Sequence, residues 1–191
     1  MKNLLLFLLL TLIIACQQAP TEKSEPVAEP EFEVGPPPSE EELIIRLSPG
    51  LTADAQNQAE IDRNTLINLA IAKKLDLHAT NTGIYYRILR EGEGESIKWG
   101  DRLRVHYKGN LLNGQVFDSS YDRGQPLEFY VGNMIPAWNE GLQLIKPGGA
   151  IELYAPSDLA YGKDGFPDGQ GGFLVPPNSI LVFRVEVLGK L

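Results

Sequence analysis

The residues able to do chemistry in this chain are few. Cys16 is the only cysteine among 191 residues, so no disulfide can form within the chain and an exported domain must be held by its core. The two histidines, His78 and His106, stand in different contexts, and with one cysteine they do not make a zinc ligand set. Residues 164–169, D-G-F-P-D-G, have the outline of a calcium loop. Phe166 stands where a ligand is needed, however, and Val175 where a bidentate Glu belongs. No metal and no cofactor are expected. That leaves residues 104–120, R-V-H-Y-K-G-N-L-L-N-G-Q-V-F-D-S-S: a strand pattern, a turn at Asn113-Gly114, then the aromatic Phe117 beside the carboxylate Asp118. Taken singly, Asp118 is a turn residue bonding backbone ahead of Ser119-Ser120. Beside an apolar pocket, a carboxylate can orient a neighbour or polarise a carbonyl without forming a bond.

The elements that must position these residues lie in 81–191, a length typical of one domain. Strand composition covers 84–89, 102–108, 127–131, 150–155 and 180–188, and Leu181, Phe183, Val185 and Val187 alternate onto one face. Pro136 suits the first turn of a helix, with Trp138, Leu142 and Ile145 at helical spacing until Pro147-Gly148. The pattern asks for an α+β fold, a curved antiparallel sheet wrapped around one short helix. Ahead of it, residues 42–80 read as a helical segment. Ser39 and Glu42 form a capping box. A second helix starts after Thr52 and runs to about Leu75, with Ile61, Leu66, Leu69, Ala70 and Lys73 on one stripe and Ile67, Ile71 and Leu75 widening it. That stripe serves either a homodimer through residues 52–75 or the chain's own domain.

The front of the chain carries an address. A weakly basic start is followed by apolar residues Leu4 to Leu10 and Leu12 to Ala15, too short for the roughly 20 residues that span a bilayer. Residues 1–15 therefore read as an export signal. Ile13-Ile14-Ala15-Cys16 resembles the lipobox of bacterial lipoproteins, which implies lipidation of Cys16 and attachment to a membrane through several acyl chains. Residues 16–41, rich in Pro and Glu, read as a disordered tether. The net charge of -8 speaks against a nucleic-acid partner, whose phosphates demand a basic patch.

Beyond V-H-Y-K-G and V-F-D-S-S, the chain contains P-L-E-F-Y-V-G, I-P-A-W-N-E-G-L, A-Y-G and V-P-P-N-S-I-L-V-F-R-V-E-V-L, in that order. Together these blocks resemble the FKBP-type peptidyl-prolyl isomerases, the macrolide-binding immunophilins, over 83–191. The resemblance implies the FKBP-like fold and a proline pocket walled by Tyr107, Phe117, Met134, Ile135 and Phe183, with Trp138 as its floor. It implies polar roles for Asp118 and Tyr161 at the edge, and places Leu174 and Val175 on a loop closing over the pocket. Read one at a time, the aromatics are ordinary core residues.

Two positions depart from the family. Leu127 stands where a pocket aromatic is common, and 169–173, G-Q-G-G-F, resembles an insertion in the closing loop. What the resemblance implies is a peptidyl-prolyl cis-trans isomerase assisting the folding of proline-containing exported polypeptides, with macrolides as candidate inhibitors. The alternative is a proline-pocket binding module or chaperone in an envelope or gliding-motility complex. Either would sit in the bacterial envelope, lipid-anchored and facing the periplasm. Gln17 after the cysteine is not an acidic retention signal, which favours the outer membrane.

Overall fold

The computed structural model describes residues 25–191; the signal segment, Cys16 and the first part of the linker lie outside them. Helix α1 (Glu40–Leu47) has three glutamates in its first turn, where carboxylates complement the helix dipole. The Ser39 hydroxyl accepts the Glu42 N–H at 3.1 Å, which is one half of the capping box. Helix α2 (Gln58–Lys73) starts later than the expected position after Thr52, because Asn57 caps it by accepting the Glu60 N–H at 3.1 Å. Asn64 meanwhile holds Thr52 outside the helix, through backbone bonds of 3.0 and 2.8 Å.

Strands β1 (His78–Ala79), β2 (Tyr85–Arg90), β3 (Arg102–Leu111), β4 (Val116–Ser119) and β5 (Leu127–Tyr130) precede the short helix α3 (Pro136–Gly141). Then come β6 (Ala150–Ala155), the two-stranded hairpin β7 (Phe166–Pro167) and β8 (Phe173–Val175), and β9 (Leu181–Lys190). The main sheet runs β1-β2-β6-β9-β3-β4, with β5 also pairing β3, and the pairings are antiparallel. One edge of β3 is divided: Arg102 to Val105 pair with β5, and Lys108 to Asn110 with β4.

Alternation sorts the side chains. Leu181, Phe183, Val185 and Val187 face a core with Val105, Leu153, Trp138 and Leu142, so α3 fills the concave side. On the opposite face Tyr85 and Tyr154, register partners, meet Leu43, Leu47, Leu66, Ile67 and Ala70. Of the two uses expected for the α2 stripe, packing on the chain's own sheet takes Leu66, Ile67 and Ala70, while Ile61 stays exposed. No helix among the described residues is long and apolar enough to cross a membrane.

The linker differs from expectation. Residues 25–38 have no regular secondary structure, as a Pro/Glu-rich stretch requires, yet part of this segment is held against the domain. The Val27 N–H donates to the Tyr121 carbonyl at 2.9 Å, Glu29 pairs with Lys108 and Arg184, and Phe32 lies under the Arg90 guanidinium at 5.4 Å. Low hydrophobicity rules out a packed core for such a segment, but not docking by charge onto an existing face.

Asp62 joins α2 to the turn that follows β6. It is only 2% exposed, and its carboxylate accepts the Ser157 N–H at 2.7 Å and the Gln58 side-chain N–H at 2.7 Å. A hydrogen bond to a charged group contributes about 1.5–3 kcal/mol. Asp62→Ala is therefore expected to lower unfolding stability by about that amount, read as a lower urea midpoint; an unchanged midpoint would show that the contact contributes nothing.

Candidate active site

Eight side chains from five places in the chain enclose a cavity of about 110 Å³ on the concave side: Tyr107, Phe117, Asp118, Met134, Ile135, Trp138, Tyr161 and Phe183. Tyr107 comes from β3, Phe117 and Asp118 from β4, Phe183 from β9. Met134 and Ile135 precede α3, Trp138 lies on it, and Tyr161 follows β6.

Trp138, 2% exposed, lies at the centre of the aromatic group. The rings of Tyr107 and Phe183 meet it edge-on at centroid distances of 5.0 and 5.5 Å, and Phe129 lies at 5.5 Å. Phe117 meets Phe183 edge-on at 5.7 Å. Edge-to-face pairs at such distances contribute beyond area burial and fix the orientation of each ring. Gly109 makes the Phe117 position possible, since a Cβ there would stand 2.6 Å from the Phe117 ring.

Polar groups occupy one side of the rim. The Asp118 carboxylate accepts from the Tyr107 hydroxyl through one oxygen and from the Arg123 guanidinium through the other. Arg123 also donates to the Tyr107 oxygen at 3.0 Å and stands 5.5 Å from the Tyr107 ring centroid. Burial first, and then the bond to Asp118, push the Tyr107 hydroxyl up to about 12. Tyr161 is also raised, chiefly by burial and then by the charge of Asp118. Its ring stacks on Phe166 at 5.1 Å, and its hydroxyl has no hydrogen-bond partner among the described residues. The rim therefore carries a carboxylate already held by two donors and a protonated phenol with its donor free.

Three residues assigned to the pocket lie outside the cavity lining. Leu127 pairs with Val105 and packs on the core from β5. Val175 is 1% exposed and buried in that core, and Leu174, its neighbour on β8, is turned outward. Alternation along β8 separates the last two, turning Val175 into the core and Leu174 outward.

Two supporting residues escaped sequence reasoning. Arg123 follows Asp118 by five positions, inside a turn whose composition does not distinguish it. Asn139 is 5% exposed; its side chain accepts the N–H groups of Gly132 and Met134 and donates to the Met134 carbonyl, at 2.8, 3.2 and 2.5 Å. It thereby holds the loop that presents Met134 and Ile135. A polar residue next to Trp138 in the first turn of an apolar helix was the available signal.

Comparison with known proteins agrees with this geometry. The family model described as FKBP-type peptidyl-prolyl cis-trans isomerase matches residues 93–188, just over half of the chain. A probable FKBP-type peptidyl-prolyl cis-trans isomerase of Haemophilus influenzae is 48% identical over 117 residues, 61% of this chain and 46% of that protein. FkpA of Escherichia coli K12, an FKBP-type peptidyl-prolyl cis-trans isomerase, is 47% identical over 117 residues, 61% of this chain and 41% of its own. The chain thus spans less than half the length of these two relatives. Among solved structures, AtFKBP13 aligns with a TM-score of 0.58 at 36% identity, covering 61% of this chain and 99% of that one. The crystal structure of Escherichia coli FkpA gives 0.59 at 38% identity, covering 79% and 62%. On the family model and these likenesses, this chain belongs to the FKBP-type peptidyl-prolyl cis-trans isomerase family.

Proposed function

We propose that the chain is a peptidyl-prolyl cis-trans isomerase that acts on proline-containing exported polypeptides at the bacterial envelope. The observation that carries the reading is the cavity of about 110 Å³ with aromatic walls, a buried indole at its centre and polar groups confined to one rim. It offers room for one small saturated ring, and its apolar lining suits a pyrrolidine.

The reaction makes and breaks no covalent bond. Rotation about the X-Pro bond is opposed by a barrier of ~18–20 kcal/mol from amide resonance, and the planar ground state is the more charge-separated form. A dry aromatic cavity favours the twisted form over the planar one. Tyr161 donates to the substrate carbonyl through its free hydroxyl. Asp118 acts through what it holds: it fixes the Tyr107 ring as a wall and sets a local field at the rim together with Arg123.

A second reading, a holding module or chaperone in an envelope or gliding-motility complex, draws on the β7–β8 hairpin, where Phe166, Phe173 and Leu174 are each more than 40% exposed. Such a surface beside Tyr161 suits retention of an apolar segment. A proline-peptide isomerisation assay separates the two readings, and a macrolide that fits the cavity should block turnover in the first. Helix α2 is read as part of the domain rather than as a dimer surface, because its large apolar residues other than Ile61 are buried or half-buried on the chain's own sheet.

In that assay Tyr161→Phe is expected to reduce turnover roughly three- to tenfold, the equivalent of one neutral hydrogen bond of about 0.5–1.5 kcal/mol. Asp118→Ala should cost at least as much and still leave activity. Trp138→Ala should lose activity together with about 3–5 kcal/mol of stability, as large aromatic truncations do. If Tyr161→Phe and Asp118→Ala combined leave turnover unchanged, their assigned roles are wrong; an inactive folded wild type hands the function to the holding module.

The tyrosines give a pH signature. Tyr85, Tyr107, Tyr121, Tyr154 and Tyr161 are all raised above 10.0, burial being the first cause of each. A group whose folded value is raised contributes stability that is complete below its unfolded value and lost as pH rises through the folded one. Stability is therefore expected to hold up to about pH 10 and to fall towards pH 12, in step with tyrosinate absorbance. A fall centred well below pH 9 would contradict this assignment.

Attachment at Cys16, on the periplasmic side and at the outer membrane, rests on the sequence alone. Cys16→Ser should abolish lipid labelling and release the protein from membrane fractions. Retention of both label and membrane association in the variant would remove the lipoprotein reading.

A further inference from the structure

The outer face of the sheet carries a charged site that the aromatic cavity does not use. Lys108 on β3 and Arg184 on β9 are register partners, and both project away from the cavity because their neighbours Tyr107 and Phe183 project into it. The Glu29 carboxylate bridges them, at 2.7 Å to Lys108 and 3.2 Å to Arg184. Arg184 is in turn paired with Glu152 at 3.0 Å, and Glu152 with Arg87 at 2.7 Å. Three residues beyond Glu29, Phe32 lies under Arg90 of β2. Residues 27–32, V-A-E-P-E-F, therefore cross the back of the sheet in extended form, with one acid and one aromatic ring each matched to cations.

The two ends of this crossing differ in what they touch. At the Val27 end, the Tyr121 carbonyl accepts both the Val27 N–H at 2.9 Å and the Gly124 N–H at 3.0 Å. The second of these bonds closes the turn of residues 121–124, and that turn carries Arg123 to Asp118 and to the Tyr107 hydroxyl. Tyr121 is itself 4% exposed and stacked on His106 at 4.7 Å, so the carbonyl is firmly placed. Segment and rim share a hydrogen-bond acceptor.

We propose that the outer sheet face is a docking site for an acidic, aromatic-bearing extended segment, filled by this chain's own residues 27–32, and that its occupation steadies the turn that holds Arg123 on the Asp118 rim. Glu29 is then a positioning residue: it touches no substrate and acts through Val27, Tyr121 and Arg123. In its effect on turnover the proposal rests on the isomerase reading above; the docking does not.

The test is residue-resolved amide hydrogen exchange on the purified full chain, alongside the proline-peptide assay. In the wild type the Val27 amide should exchange at least tenfold more slowly than in a free peptide. Glu29→Lys, which sets a cation against Lys108 and Arg184, should remove that protection and speed exchange at Gly124 at least threefold. Turnover at subsaturating peptide should fall by a similar factor, through KM more than kcat, and Glu29→Asp should restore the wild-type pattern in all three. Free-peptide exchange at Val27 in the wild type would overturn the docking. Faster exchange at Val27 with Gly124 and turnover unchanged would overturn the positioning role. The exchange measurements need no catalysis, so an inactive wild type would count against the isomerase reading while these arms still decide the docking.

Discussion

The antiparallel register of β3 against β9 is the constraint on which the rest of the structure depends. Leu103 to Leu111 lie opposite Leu181 to Lys190, with a shift between Arg104 and Val105, and the period-2 alternation of a strand divides that ribbon into two working faces. Inward go Tyr107 and Phe183, which with Trp138 make the cavity; outward go Lys108 and Arg184, which hold Glu29. A one-residue slip would exchange the two sets, putting cations beside Trp138 and aromatics in water. Gly109, opposite Phe183, is the one place on the ribbon where a missing side chain matters, since Phe117 occupies the space that a Cβ would take. Cavity and outer site are therefore two consequences of one pairing.

How much of this was legible depended on how local the signal was. The inward set of β9, the start of α3 at Pro136 and the Ser39 cap were readable, because alternation, a proline in the first turn and a serine three residues before a glutamate act over a few residues. Strands β1, β7 and β8 span two or three residues each, shorter than any periodicity can mark, and their pairing is a tertiary event. The start of α2 was placed too early, after Thr52, because the apolar stripe begins only at Ile61 and leaves the boundary open, whereas Asn57 and Asn64 fix it through bonds that spacing does not record. Within the site, the six lining residues drawn from aromatic and apolar family blocks and the two rim residues do gather on one cavity. Leu127, Leu174 and Val175 do not, because their sheet pairings point them elsewhere. Arg123 and Asn139 were missed because each acts by holding other groups, Asp118 and Tyr107 in one case and the 132–134 loop in the other, through bonds that no periodicity marks.

The parts of the chain ahead of the family-matched residues meet the domain next to the segments that carry the site. Asp62 of α2 bonds Ser157, four residues before Tyr161, and Val27 bonds Tyr121, two residues before Arg123. Tyr161 and Arg123, both on the polar side of the rim, thus each lie within four residues of a contact made by the N-terminal part of the chain. The packing behind these contacts differs in kind. Helix α2 is held by a hydrophobic cluster of buried residues, the fully buried Leu66 and Ala70 among them, whose removal would expose large apolar area. The linker has no such area to lose.

Energetics of the outer-face charges separate a permanent part from a displaceable one. Glu152 is only 7% exposed and lies between Arg87 and Arg184; removing one partner of a buried pair leaves a desolvated charge and costs about 3–5 kcal/mol. Lys108 and Arg184, at 32% and 38% side-chain exposure, stay wetted when Glu29 leaves, and an exposed pair contributes about 0–1 kcal/mol. The inner ion pairs therefore belong to the folded sheet, whereas the Glu29 contact can open without unfolding anything beneath it. Salt acts on the same distinction, since the Debye length of about 8 Å at physiological ionic strength screens exposed pairs far more than buried ones. A segment held by such a contact, and sharing an acceptor with the turn behind Asp118, supplies support to the rim that ionic conditions can adjust while the aromatic cavity, built from burial and ring geometry, stays as it is.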